Sequence, residues 1–217
     1  MREVRQRLEH YLSSYTAYQL VVGLVALEGL LLWVSWRAPA TASGVREPSS
    51  WRFLANVNGG LLSFAALVLG VERRSEAAPR RAILLASFAQ LLVVLLLSLP
   101  LVVTAHTVAH ATTPWWNHYL LLLALCWGLV GTGYVVGGYL SGTAAEVVEY
   151  ALLAGLPIAA SGVLRLPWLG QLSPVVAVYS QADGVQGWPV GAAGYVLLGG
   201  LMFLLTVRAE GQQESSG

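Results

Sequence analysis

The sequence predicts an all-α, polytopic membrane protein: a six-transmembrane-helix bundle with an N-terminal interfacial amphipathic helix. Three observations carry this. The 217 residues are 56% hydrophobic and only 11% charged, whereas soluble domains carry roughly a quarter charged residues. Six apolar runs, at 17–36, 53–71, 82–104, 119–140, 147–164 and 190–207, approach or exceed the length of about 20 residues that a helix needs to cross a bilayer core about 30 Å thick. The 12 cationic side chains are all arginine, with no lysine, and they lie outside these runs. The chain therefore divides into a cytoplasmic interfacial helix at 1–16, a single transmembrane domain at 17–208 and a disordered cytoplasmic tail at 209–217.

The connections are short, so no stretch reads as a nucleotide-binding fold or an extracellular module. The net charge of +1 says little, because in a membrane protein the placement of charge matters more than its sum. Cys126 is the only cysteine, which excludes a disulfide framework and a thiolate metal cluster within one copy. The first apolar run has full spanning length and no small-residue cleavage site after it, so it reads as a span and not as a signal peptide.

In the first 16 residues Val4, Leu8, Tyr11, Leu12 and Tyr15 recur at helical spacing, with Arg2, Arg5, Arg7 and Glu9 on other faces. That pattern is an amphipathic helix lying in the interface. With the N-terminus inside, eight arginines fall on the cytoplasmic side (2, 5, 7, 73, 74, 80, 81, 208) and four outside (37, 46, 52, 165). The positive-inside rule then predicts a multi-pass protein of the cell (inner) membrane with both termini cytoplasmic.

The first span carries Glu28 near its middle. A carboxylate at that depth costs about 2.5 kcal/mol or more on insertion scales, so Glu28 reads either as part of a substrate pathway or as a protonated group hydrogen-bonded to a neighbouring helix. The segment 37–50 is a Pro-, Ala-, Ser- and Thr-rich outer loop. The second span opens with Asn56, Asn58, Gly59 and Gly60, residues that face protein or a pathway and not lipid. Helix packing and substrate contact both fit them.

Between the second and third spans lies Glu72-Arg73-Arg74-Ser75-Glu76-Ala77-Ala78-Pro79-Arg80-Arg81, which holds four of the 12 arginines. It reads as a cytoplasmic coupling loop, the best grip for a soluble partner. The third span contains Pro100, which kinks a helix, and after it come His106, His110 and His118 with Trp115 and Trp116 in an interfacial aromatic belt. His106 and His110 are at i, i+4 spacing and His118 can complete a metal or haem site; the same residues also fit as polar groups at the outer interface.

The fourth span is punctuated by Gly128, Gly131, Gly133, Gly137 and Gly138, a pattern of close helix contact that places it at the centre of the bundle or at a dimer seam. Glu146 and Glu149 follow in the first turns of the next helix, where they suit its dipole. Pro157 breaks the fifth span. The segment 164–188 alternates prolines with apolar residues and reads as a partly inserted or interfacial hairpin on the outer side, and the sixth span closes the bundle.

No Gly-rich phosphate loop, Ser–His–Asp arrangement or His-Glu-x-x-His is present, so the chain is not expected to be an enzyme by itself. There is no basic patch with interleaved aromatics outside the membrane, so no nucleic acid is expected as a partner.

This organisation resembles the type-2 ABC exporter permeases. Val68-Leu69-Gly70-Val71-Glu72-Arg73-Arg74 followed by Arg80-Arg81-Ala82-Ile83-Leu84-Leu85-Ala86 is similar to the family's glutamate-arginine after the second span and its arginine plus apolar run opening the third. Leu166-Pro167-Trp168-Leu169-Gly170-Gln171-Leu172-Ser173-Pro174 is similar to its outer segment before the last span. Only Ser75 to Pro79 stands where family members place a longer coupling helix.

The resemblance implies a permease subunit that moves an unidentified substrate, working as a homodimer or a heterodimer with a second permease, in contact with membrane lipid. It implies an ABC-type ATPase partner that holds ATP and magnesium, with no cofactor in this chain. Glu72, Arg73, Arg74, Glu76, Arg80 and Arg81 would couple the two subunits, and Glu28, Asn56 and Asn58 would line the pathway. Two other classes remain: a haem- or metal-handling redox protein using His106, His110 or His118, and a non-transporting membrane assembly factor.

Overall fold

The computed structural model describes residues 49–72, 79–108, 113–136 and 143–215, together with positions 22, 23, 26, 29, 30 and 33, which are helical. The expected interfacial helix at 1–16 and the rest of the first apolar run lie outside the described residues. Among the described residues there is no strand. The named helices are α1 Ser49–Glu72, α2 Arg80–Val108, α3 Trp115–Val136, α4 Thr143–Leu164, α5 Pro167–Gly170, α6 Pro174–Ala182 and α7 Trp188–Ser215.

Five helices are long and apolar enough to cross a membrane, through the windows Ala55–Glu72, Arg80–Pro100, Trp115–Val135, Val147–Leu164 and Trp188–Ala209. They match the second to sixth apolar runs of the sequence. The described residues are therefore all-helical, with these five candidate spans.

The helix that organises the bundle is α3: 72% of its window is buried, against 6% for α4. Its core side chains Leu121, Leu122, Leu125 and Leu129 are fully buried. Glycines let neighbours approach on two sides. Toward α1, a methyl group added at Gly133 would run into the Leu67 carbonyl, and one at Gly70 into the Val130 carbonyl and the Tyr134 amide. Toward α7, a methyl group at Gly128 would lie 2.6 Å from the Tyr195 ring, and one at Gly131 would lie 2.9 Å from Met202 Cβ. Without side chains at these points the helix backbones pack closely, the device expected where hydrocarbon solvent supplies no hydrophobic drive between helices. Gly128, Gly131 and Gly133 thus serve the seams within one bundle, while Gly137 and Gly138 lie outside the described residues.

Two local expectations need correction. The helix α4 runs through Pro157 without a break; α2 likewise contains Pro100 and continues to Val108. Proline removes one helical hydrogen bond, but in a membrane-spanning helix packed neighbours tolerate it. The helix α7 continues to Ser215, through most of the expected disordered tail; Ala209, Glu210, Gln212 and Gln213 are favourable helix formers. The segment read as a hairpin consists of α5 and α6, joined by a turn at residues 171–173.

Cys126 is fully buried at the centre of α3, and only the thiolate of an accessible cysteine reacts readily. Maleimide is expected to leave the folded protein unlabelled and to label it stoichiometrically after denaturation in dodecyl sulfate. Fast labelling under native conditions would mean that α3 is not the enclosed helix.

Candidate functional site

Polar groups gather at the end of the bundle where α1 and α3 begin and α2 ends. The element that gathers them is α6. Its residues Pro174, Ala177, Val178, Ser180, Gln181 and Ala182 are buried, and Gly59 of α1 gives it room: a methyl group there would lie 2.5 Å from Val178 Cγ1. Seven residues earlier in α1, Arg52 Nε lies 2.7 Å from Asp183 Oδ1, just past the end of α6. Position falls along α1 as it rises along α6, so the two run antiparallel and the N-terminal end of α6 is the deeper one, about 6 Å below Val178 at 1.5 Å per residue.

On the face of α6 toward α3, His118 and Gln181 form a buried pair, with 0% and 1% of their surface exposed. His118 Nδ1–H donates to Gln181 Oε1 at 2.9 Å. This assignment makes the imidazole the Nδ1–H tautomer when neutral and turns Nε2 into the acceptor. His106, near the end of α2, donates from Nε2–H to the Thr113 carbonyl oxygen, tying the ends of α2 and α3 together. Below them, the hydroxyls of Ser98 and Tyr119 share a hydrogen bond of 3.1 Å.

Of the sequence-predicted pathway residues, Asn56 and Asn58 take different environments. Asn56 is half-buried, and its amide donates at 2.8 Å to the Arg52 carbonyl of its own helix. Asn58 points elsewhere: it is 1% exposed, and neither its amide nitrogen nor its carbonyl oxygen has a hydrogen-bond partner among the described residues. Burying an amide without partners costs roughly 2–7 kcal/mol, so Asn58 is the costliest of these polar groups to keep. Glu28 and His110 lie outside the described residues. No group of three His, Cys, Asp or Glu side chains able to hold a metal occurs among the described residues.

At the opposite end, Glu72 closes α1 and is exposed, while Arg80 and Arg81 open α2. Arg73, Arg74 and Glu76 lie outside the described residues. A helix end favours the opposite arrangement, with acidic groups at its N-terminus and cations at its C-terminus. These charges therefore oppose the helix dipoles. Pro79 provides the start of α2, its carbonyl accepting from the amides of Ala82 at 2.8 Å and Ile83 at 3.1 Å.

Sequence reasoning missed Gln181, Asp183 and Tyr179, all on or just past α6. One signal was available: Asp183 is the only aspartate of the chain and, with Arg165, one of two charged residues in 164–188. It also missed that Glu149, assigned to the dipole of its helix, is buried at 5% exposure.

Tyr179 stands exposed beside Asp183, whose hydrogen bond and negative charge push the phenol above its ordinary range, with Arg52 opposing. A phenol whose pKa is raised in the folded state contributes stability that is fully present below the unfolded value near 10 and is lost as pH rises through the raised one. Asp183→Asn is expected to bring Tyr179 back toward ordinary titration in a near-ultraviolet difference measurement. Its stability cost should be small, since the partnership is solvent-screened. An unchanged Tyr179 titration in that variant would mean that the carboxylate does not face the phenol.

No protein-family model, curated protein or solved structure matches the chain. What the site does has to be read from its geometry.

Proposed function

We propose that this chain is the transmembrane permease subunit of an ABC-type exporter, moving an unidentified substrate with ATP hydrolysed by a separate ATPase that holds the magnesium. The observation that carries the proposal is α6. A short helix that turns back into the bundle before the last span, buried against α1 and α3, directly follows the 166–174 segment that is similar to the outer segment of type-2 exporter permeases. The charges that oppose the helix dipoles at Glu72, Arg80 and Arg81 support it from the other end, as does the segment between them, which carries Arg73, Arg74 and Glu76.

In this proposal the chain lies in the cell membrane with both termini cytoplasmic and pairs with a second permease copy or subunit. Closure of the ATPases pushes on the 72–81 segment. The bundle then rocks as a rigid body between two states, with α6 and the polar outer end moving together because Arg52–Asp183 and His118–Gln181 tie them.

Affinity purification of the full chain from its native membrane, followed by mass spectrometry, tests the proposal. The expected result is an ABC-type ATPase in stoichiometric amount. Purification without any ATPase, from cells grown where the chain is normally made, would overturn it.

A second function is favoured by one specific observation. His118 is fully buried with Nδ1 oriented by Gln181, an arrangement that also suits an imidazole ligand whose second nitrogen is fixed by an outer hydrogen bond. A haem absorption band, or metal found by elemental analysis and lost in His118→Ala, would select that function over transport.

A further inference from the structure

The helix α6 starts inside the bundle and ends at its outer end, so its N-terminus points inward. Its first residue, Pro174, has no N–H, and the next two amides, those of Val175 and Val176, donate to no backbone carbonyl among the described residues. A capping side chain normally accepts from amides at this position. The cap residue here is Ser173, whose hydroxyl makes no capping bond and has no other hydrogen-bond partner among the described residues, although Ser173 is 0% exposed. Three donors within one helical turn thus stand unused, two amides and one hydroxyl. We propose that they form a binding site for a carboxylate.

Hydroxyls from three other helices stand near the same depth. Tyr195 of α7 donates at 3.0 Å to the carbonyl of Leu172, the residue before the cap. Four residues inward from Gly59 on α1 comes Ser63, and four residues back from Val178 on α6 comes Pro174. Because Gly59 meets Val178, Ser63 is level with the N-terminus of α6, about 6 Å below Val178. Ser63 is buried and donates to the Gly59 carbonyl, and Tyr150 of α4 reaches the Gly60 carbonyl at 3.4 Å. A methyl group added at Gly60 would meet nothing within 4 Å, although Gly60 is half-buried, so there is room beside α1 at this depth. Val175, 46% exposed, leaves the N-terminus open on one side.

The donors select the ligand. A helix N-terminus carries the positive end of the macrodipole, and its free amides point at whatever lies before it, so the site favours an anion and repels a cation. The protons of Tyr195, Ser63 and Tyr150 already go to carbonyl oxygens, which leaves Ser173 and the two amides to hold the ligand. A carboxylate offers two oxygens with about four acceptor positions, enough for all three. The cation that α6 does meet, Arg52, is held by Asp183 at the other end of the helix, so the site suits a single negative charge better than a dianion such as phosphate.

Carboxylate binding does not depend on the permease proposal: the one is read on the purified chain alone, the other by co-purification of an ATPase.

The test is saturation-transfer NMR with acetate on the full chain in dodecyl maltoside, at ionic strength held constant with sodium chloride, together with the thermal midpoint. Acetate should bind saturably and about tenfold or more tighter than its neutral isostere acetamide. Ser173→Ala should weaken acetate about tenfold without lowering the ligand-free midpoint, because the hydroxyl it removes has no partner. Ser173→Asp places a carboxylate of the chain itself among the same donors, so it should raise the ligand-free midpoint and abolish acetate binding; should that variant not fold, Ser173→Ala decides alone. Competition separates two sources of the ligand: displacement of acetate by lactate and not by oleate assigns the site to water-soluble acids, and the reverse assigns it to membrane-borne ones. Displacement by neither would overturn the proposal. So would equal binding of acetate and acetamide, or acetate affinity unchanged in Ser173→Ala. A ligand-free midpoint that falls in Ser173→Ala would mean that the hydroxyl caps α6, and would overturn it as well.

Discussion

Gly133→Leu and Gly70→Leu, made separately, are each expected to abolish the folded bundle: a membrane-inserted chain that elutes as aggregate and has no cooperative thermal transition. At both positions the obstacle is backbone. A side chain at Gly133 meets the Leu67 carbonyl, with the carbonyl carbon 3.1 Å away, and one at Gly70 meets the Val130 carbonyl and the Tyr134 amide nitrogen at 2.9 Å. Overpacking costs about 1–3 kcal/mol where side chains can shift. Here nothing can rotate aside, and α1 and α3 must separate along their whole contact, so the cost should exceed that range and approach the total stability of a typical domain, about 5–15 kcal/mol. The control lies in the same protein. Gly155 and Gly162 of α4 have nothing within 4 Å of an added methyl group, and Gly155→Leu and Gly162→Leu should assemble normally. If all four variants behave alike, the α1–α3 seam is not where the glycines act.

That contrast between glycines was only half legible in the sequence. Spacing alone marked Gly128, Gly131 and Gly133 as points of close approach, and the runs of apolar residues placed the five candidate spans, because both signals follow from one-dimensional facts: bilayer thickness, rise per residue and side-chain size. Which neighbour each glycine meets is not a one-dimensional fact. Spacing left a dimer seam and a bundle centre equally open for α3, and only the Leu67 carbonyl against Gly133 and Met202 against Gly131 assign them to α1 and α7.

The polar end was read less well for the same reason. His118 was legible as a histidine near an interface, but its partner Gln181 lies 63 residues away, on a helix too short to give a periodic signal. Asn56 and Asn58, two residues apart, were read as one polar surface. An advance of about 100° per residue sends them to different sides of α1, one onto its own backbone and one into the core.

Reversing Arg73 and Arg74 to glutamate is expected to strip the proposed ATPase from the chain while leaving it inserted in the same orientation. Of the twelve arginines, the proposed topology puts eight inside and four outside, and the double reversal leaves six against four. Arg80 and Arg81 still flank the start of α2, so the positive-inside bias survives. At a desolvated contact, truncating one member of a charge pair costs about 2–5 kcal/mol, whereas a rim charge costs little. Reversal adds repulsion to that loss, so affinity should fall by at least about 30-fold, the equivalent of about 2 kcal/mol, and ATP hydrolysis should no longer respond to substrate. The measurement pairs quantitative co-purification with a cysteine-accessibility assay at both ends of the chain, made in the Cys126→Ala background so that single introduced cysteines report sidedness. A doubly reversed protein that is correctly oriented and still retains its full complement of ATPase would reduce these arginines to topological anchors.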